Sequence, residues 1–106
     1  MAVIAVLTNL PDSESAFNLA RQVVQLRLAA CANVLGGATS FYRWEGREEE
    51  APEVPVLMKS TAALYPQLER AIRERHPYEV PEIVSWNIDR GLDEYLRWVE
   101  AECKPG

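Results

Sequence analysis

The sequence is poor in the residues that usually carry chemistry. It has one histidine, His76, and two widely separated cysteines, Cys31 and Cys103. No CxxC pair and no Cys/His cluster at ligand spacing occurs, so neither a structural zinc site nor a disulfide framework is indicated. Reduced thiols in a cytosolic setting fit this usage. There is no Gly-rich phosphate loop, no metalloprotease motif and no Ser-His-Asp signal. An enzyme needs a nucleophile, a base and an electrostatic stabiliser within reach, so the chain reads as a non-enzyme. No apolar run approaches the roughly 18 residues a membrane helix requires. The opening MAVIAVLTNL lacks a positive n-region, and its apolar run is too short for a signal peptide. The expected location is therefore cytoplasmic, with no membrane partner. Positive charge is also short. Lys and Arg number 11 against 16 Asp and Glu, for a net charge of -5. That balance repels phosphate backbones and excludes nucleic acid as a general partner.

What is present suits one ordinary globular domain over residues 1–106: 48% hydrophobic and 25% charged residues, with no linker, repeat or low-complexity tract. Val3 to Leu7 read as a buried strand. Asp12 or Ser13 caps a first helix, whose Phe17, Ala20, Val24 and Leu28 share one face. Cys31 to Trp44 read as a long strand bent at Gly36-Gly37. A polar turn over Gly46 to Pro52 leads to a return strand, Val54 to Lys59. Pro52 and Pro55 place the start of that strand at an edge or an irregular region. Ser60 or Thr61 opens a second helix with Pro66 in its first turn and Leu64, Leu68 and Ile72 buried. Ile83 to Ile88 form another strand. A last helix presents Leu92, Tyr95, Leu96, Val99 and Cys103 on one face. The order β-α-β-β-α-β plus a helix is an α+β, ferredoxin-like plan with two helices on one face of an antiparallel sheet. The other face requires a cover, from the last helix or from neighbouring subunits.

The segment HPYEVPEI, His76 to Ile83, concentrates the candidate chemistry. A residue before proline is pushed out of the α region, so His76 ends the second helix. A helix C-terminus favours cations. One imidazole there, followed by Glu79 and Glu82, suits a metal ion or a charged ligand. The alternative is a stiff connection between helix and strand. Cys31, set among alanines, is either a small packed hydrophobe or a ligand. Trp44 and Tyr78 are either core or interface aromatics, or part of a cleft. Lys59, at a strand end, is either a snorkelling surface lysine or an anion contact.

LAACANV from Leu28, SFYRWEG from Ser40, MKST from Met58, HPYEVPEI and YLRWVE from Tyr95 occur in one order. Together they resemble the CutA family of divalent-cation tolerance proteins, nearly end to end. The resemblance implies a homotrimer in which long β-hairpins extend neighbouring sheets, and an architecture akin to PII signalling proteins. It implies binding of Cu²⁺ or other divalent cations, with no other cofactor required, and a role in metal tolerance. Its candidate ligands here are His76 and Cys31, with Glu79 and Glu82 as added oxygen donors. Some relatives carry a further cysteine and histidine where this chain has Thr8 and Arg75. Losing those soft ligands implies weak copper binding. A PII-like signalling or scaffold trimer is the second reading, with Lys59, Tyr78 and Trp44 lining an inter-subunit cleft. Small phosphate-hydrolysing enzymes share the ferredoxin-like plan but need an arginine-bearing loop after the first strand. Thr8 to Asp12 contain none.

Overall fold

The computed structural model describes residues 2–105. Five strands and three α-helices follow in the order β1 (Val3–Leu10), α1 (Ser13–Gln25), β2 (Cys31–Val34), β3 (Ala38–Trp44), β4 (Arg47–Thr61), α2 (Tyr65–Arg75), β5 (Ile83–Asn87) and α3 (Asp93–Glu102). A 3-10 turn, Ala62–Leu64, leads into α2. The sheet runs β2-β4-β1-β5, antiparallel throughout, with β3 paired to the first half of β4. This is the ferredoxin-like arrangement that the order of elements predicts.

Strand alternation divides the sheet into two faces. Ile4, Val6 and Leu10 of β1 and Val56 and Met58 of β4 face α1 and α2. There they meet Ala16, Leu19, Val23, Leu68, Ala71 and Ile72, and these buried side chains form the main core. On the other face, α3 packs Val99 and Cys103 against Val3 and Ala30, with Leu64, Ile88 and Leu96 beside them. The last helix thus covers part of the second face. Val84, Trp86 and Trp98 remain 44%, 49% and 43% exposed, so the cover is incomplete.

Four local expectations are corrected. The buried stripe of α1 is Ala16, Leu19 and Val23, whereas Phe17 and Val24 are exposed. Both stripes have spacings of three and four, one residue apart, and contact with the sheet selects between them. Leu28 is buried from a loop, because α1 ends at Gln25 and Arg27 turns the chain at φ 60. The second correction concerns the hairpin. Its turn is the pair Glu45-Gly46, and β4 starts at Arg47 rather than Val54. Third, the glycine region separates two strands rather than bending one: β2 pairs with Val56 to Lys59, and β3 with Arg47 to Glu53. Pro55 falls where β4 passes from β3 to β2, and its carbonyl accepts from the Leu35 N–H at 2.9 Å. Backbone N–H and C=O of one residue point the same way in a strand. The donor that Pro55 lacks therefore falls in the gap between β2 and β3, where no ladder needs it. Fourth, α2 begins at Tyr65, after the 3-10 turn that Thr61 leads into. Of the two expected caps of α1, Asp12 is the one, accepting from the Ser15 N–H at 2.8 Å, and Pro66 lies in the first turn of α2 as expected.

Candidate functional site

His76 closes α2 in an extended conformation, φ -88 and ψ 134. Its ring turns inward and is 9% exposed. His76 Nε2 lies 2.7 Å from the Asn9 carbonyl oxygen. A carbonyl only accepts, so Nε2 carries the proton and donates. The Tyr78 backbone N–H donates to Nδ1 at 3.2 Å. Both ring nitrogens are therefore engaged, and the imidazole is neutral. Burial pushes its pKa below the ordinary 6.5, against smaller upward contributions from the Asn9 bond and the Glu53 charge.

The Asn9 carbonyl needs this donor for a topological reason. The Val3 carbonyl accepts from the Ile88 N–H at 3.0 Å, so the odd-numbered residues of β1 direct their backbone groups toward β5. The β5 ladder stops at Ile83, opposite Thr8. Asn9 lies one residue beyond, and His76 supplies the donor that the next strand residue would have supplied. The histidine thus fastens the 76–82 segment to the end of β1.

That fastening shapes one wall of a groove of about 690 Å³. The hairpin contributes Phe41, Tyr42, Trp44 and Glu53, and the segment contributes Tyr78, Glu79 and Glu82. The Tyr78 phenol donates to Glu53 Oε2 at 2.9 Å, bridging the two walls. Burial, with Glu53 adding to it, raises the Tyr78 pKa to about 12, so the phenol stays protonated at neutral pH. The Asn9 amide donates to Glu82 Oε1 at 3.3 Å.

Of the residues singled out in the sequence, Trp44, Tyr78, Glu79 and Glu82 come together in this groove. His76 lies behind it, buried. Cys31 and Lys59 do not join them. They sit opposite one another on β2 and β4, with Lys59 Nζ donating to Asn33 Oδ1 at 3.2 Å. Cys31 Sγ lies 3.5 Å from the Tyr95 hydroxyl, and this contact is the first cause that raises the Tyr95 pKa to about 12. Asn9, Phe41 and Glu53 of the groove were not singled out in the sequence. They are distant in sequence from the HPYEVPEI segment, and no local spacing marks them.

The expected ligand set does not fit a metal ion within one chain. Among the described residues, no three of His, Cys, Asp or Glu are grouped to hold one. A ligating imidazole must present a free lone pair, and the only one that His76 has is taken by Tyr78.

Comparison with known proteins agrees with the fold. The CutA1 divalent ion tolerance protein family matches residues 4–102. The divalent-cation tolerance protein CutA of Thermus thermophilus is 44% identical over 94 residues, which is 89% of this chain and 91% of that protein. The crystal structure of CutA from Xylella fastidiosa superposes with a TM-score of 0.93 at 37% identity, covering 96% of this chain and 98% of that one. A CutA from Archaeoglobus fulgidus, described as periplasmic, gives 0.93 at 28% identity, covering 96% and 99%. No helix among the described residues is long and apolar enough to cross a membrane. On this agreement of sequence and fold over nearly its whole length, the chain belongs to the CutA1 divalent ion tolerance protein family.

Proposed function

We propose that this protein serves divalent-cation tolerance as a cytoplasmic, non-enzymatic homotrimer of a single-domain subunit. In this reading Glu79 and Glu82 give oxygen contacts to Cu²⁺ or other divalent cations, and a neighbouring subunit completes the ligand set. The observation that carries the reading is the His76–Pro77–Tyr78 anchor, which holds both carboxylates at an acidic groove. His76 acts by positioning, because its nitrogens are spent. Carboxylate oxygens alone make a weak and unselective copper site. Isothermal titration with Cu²⁺ tests this. Wild type is expected to bind weakly, and Glu79→Gln/Glu82→Gln to bind about tenfold more weakly, a difference of about 1.4 kcal/mol. Identical isotherms for wild type and the double variant would remove both carboxylates from the reading.

The second reading, a PII-like trimer that binds a small molecule in its clefts, is favoured by the groove itself. Its volume of about 690 Å³ lies in the range typical of small-molecule sites, roughly 300–1,000 Å³. Trp44 and Tyr78 belong to this reading, whereas Lys59 lies outside the groove.

A further inference from the structure

We propose that the groove between the hairpin and the 77–82 segment binds a small organic cation: a protonated amine or amidinium carried on a flat apolar body. The proposal rests on the cleft reading above and names its ligand class. The charge of the walls is one-sided. Glu53, Glu79 and Glu82 line the groove, and no Lys, Arg or His does. None of the three carboxylates pairs with a Lys or Arg among the described ion pairs. The hydrogen bonds to Glu53 and Glu82 come from neutral donors, the Tyr78 phenol and the Asn9 amide. Such donors fix Glu53 and Glu82 in place without adding positive charge to the groove.

The remaining walls are aromatic. Phe41, Tyr42 and Trp44 are 73%, 46% and 44% exposed on the hairpin, and Tyr78 faces them from the other wall. Ring faces attract cations electrostatically, and amidinium and ammonium groups on apolar bodies use that attraction together with apolar contact. An anion would meet three like charges. A bare metal ion would find no grouped ligands in one chain. An organic cation needs neither; it uses diffuse negative potential and flat apolar walls, and both are present.

The test uses three probes of one shape and different charge: benzamidine, benzamide and benzoate. Each is titrated into the intact protein in the presence of a chelator, so that metal binding plays no part. Amide and indole NMR shifts of Trp44 and Tyr78 report occupancy. Benzamidine is expected to shift these signals at about tenfold lower concentration than benzamide, with no shift from benzoate, a tenfold ratio being about 1.4 kcal/mol. Glu53→Gln keeps an acceptor for Tyr78 and is expected to lower the preference for benzamidine over benzamide. Equal binding of the three probes would overturn the cation class and leave the cleft reading standing. Absence of groove shifts with every probe at millimolar concentration would overturn both.

Discussion

At the scale of single residues, His76 and Thr8 show how burial sets the chemistry of a polar group. The neutral His76 ring is favoured in the folded chain, and its pKa lies below the ordinary 6.5. Between those two values the unfolded chain binds more protons than the folded one. The contribution of His76 is therefore complete above about pH 6.5 and is lost as pH falls toward the folded value. Urea unfolding of wild type should show declining stability below that pH, and His76→Gln should show a shallower decline across the same interval. Equal slopes would remove His76 from the acid response. Thr8 is fully buried, and its hydroxyl finds no partner among the described residues. A buried hydroxyl without a partner costs about 1–3 kcal/mol. Thr8→Val keeps the shape and removes that cost, so it should raise stability by about 1 kcal/mol in the same measurement. A loss of stability would mean that the hydroxyl has a partner in solution.

At the scale of elements, the hairpin depends on a two-residue turn. Glu45 and Gly46 both have positive φ, 50 and 78. A type I′ turn demands this, and its twist matches that of the flanking strands. Glycine adopts such a conformation freely, and glutamate does so at a cost that asparagine largely avoids. Glu45→Asn should therefore stabilise the fold by about 0.5 kcal/mol. Gly46→Val should destabilise it by roughly 1–2 kcal/mol, and thermal melts of the two variants should move in opposite directions. A melt of Gly46→Val that matches wild type would show that the hairpin forms without this turn. The hairpin also carries function, because β3 and the first half of β4 bring Phe41, Tyr42, Trp44 and Glu53 to the 77–82 segment. The two walls of the groove come from elements far apart in the chain, and no periodicity within either one indicates that they meet.

At the scale of the whole molecule, two features support the proposed homotrimer. β2 pairs with β4 alone and β5 with β1 alone, so both ends of the sheet are open edges. Val84, Trp86 and Trp98 are exposed on the face that α3 leaves partly uncovered. Open edges and exposed apolar surface are liabilities that association removes. Light scattering should report about three times the 12.0 kDa subunit mass. A monomeric mass at micromolar concentration would sink the assembly. Tyr95 and Trp98 pack against each other on α3, with ring centroids 5.6 Å apart. Trp98→Ala is expected to lower both the melting temperature and the trimer fraction, since truncating a tryptophan buried in an interface costs roughly 3–5 kcal/mol. If neither changes, Trp98 is a surface residue in solution.

The sequence by itself determined the succession of strand and helix segments, the start of α1 at Asp12 or Ser13, the break at His76-Pro77 and the ferredoxin-like plan. These follow from local rules: hydrophobic period, capping chemistry and the backbone limits of proline act within a few residues. Its ordered motifs also carried the likeness to the CutA family. Tertiary structure alone decided which of two adjacent stripes on α1 is buried, because both satisfy the helical period and only contact with the sheet separates them. It likewise decided that His76 is a fastener rather than a free ligand. That outcome depends on the Asn9 carbonyl extending one residue past the β5 ladder, a matter of register between strands that lie more than seventy residues apart in the chain. The length of β4 brings Glu53 to Tyr78, and the pairing of β2 with β4 and the packing of α3 leave Cys31 beside Tyr95. Local sequence sets what each side chain can do, and strand pairing sets which of them meet.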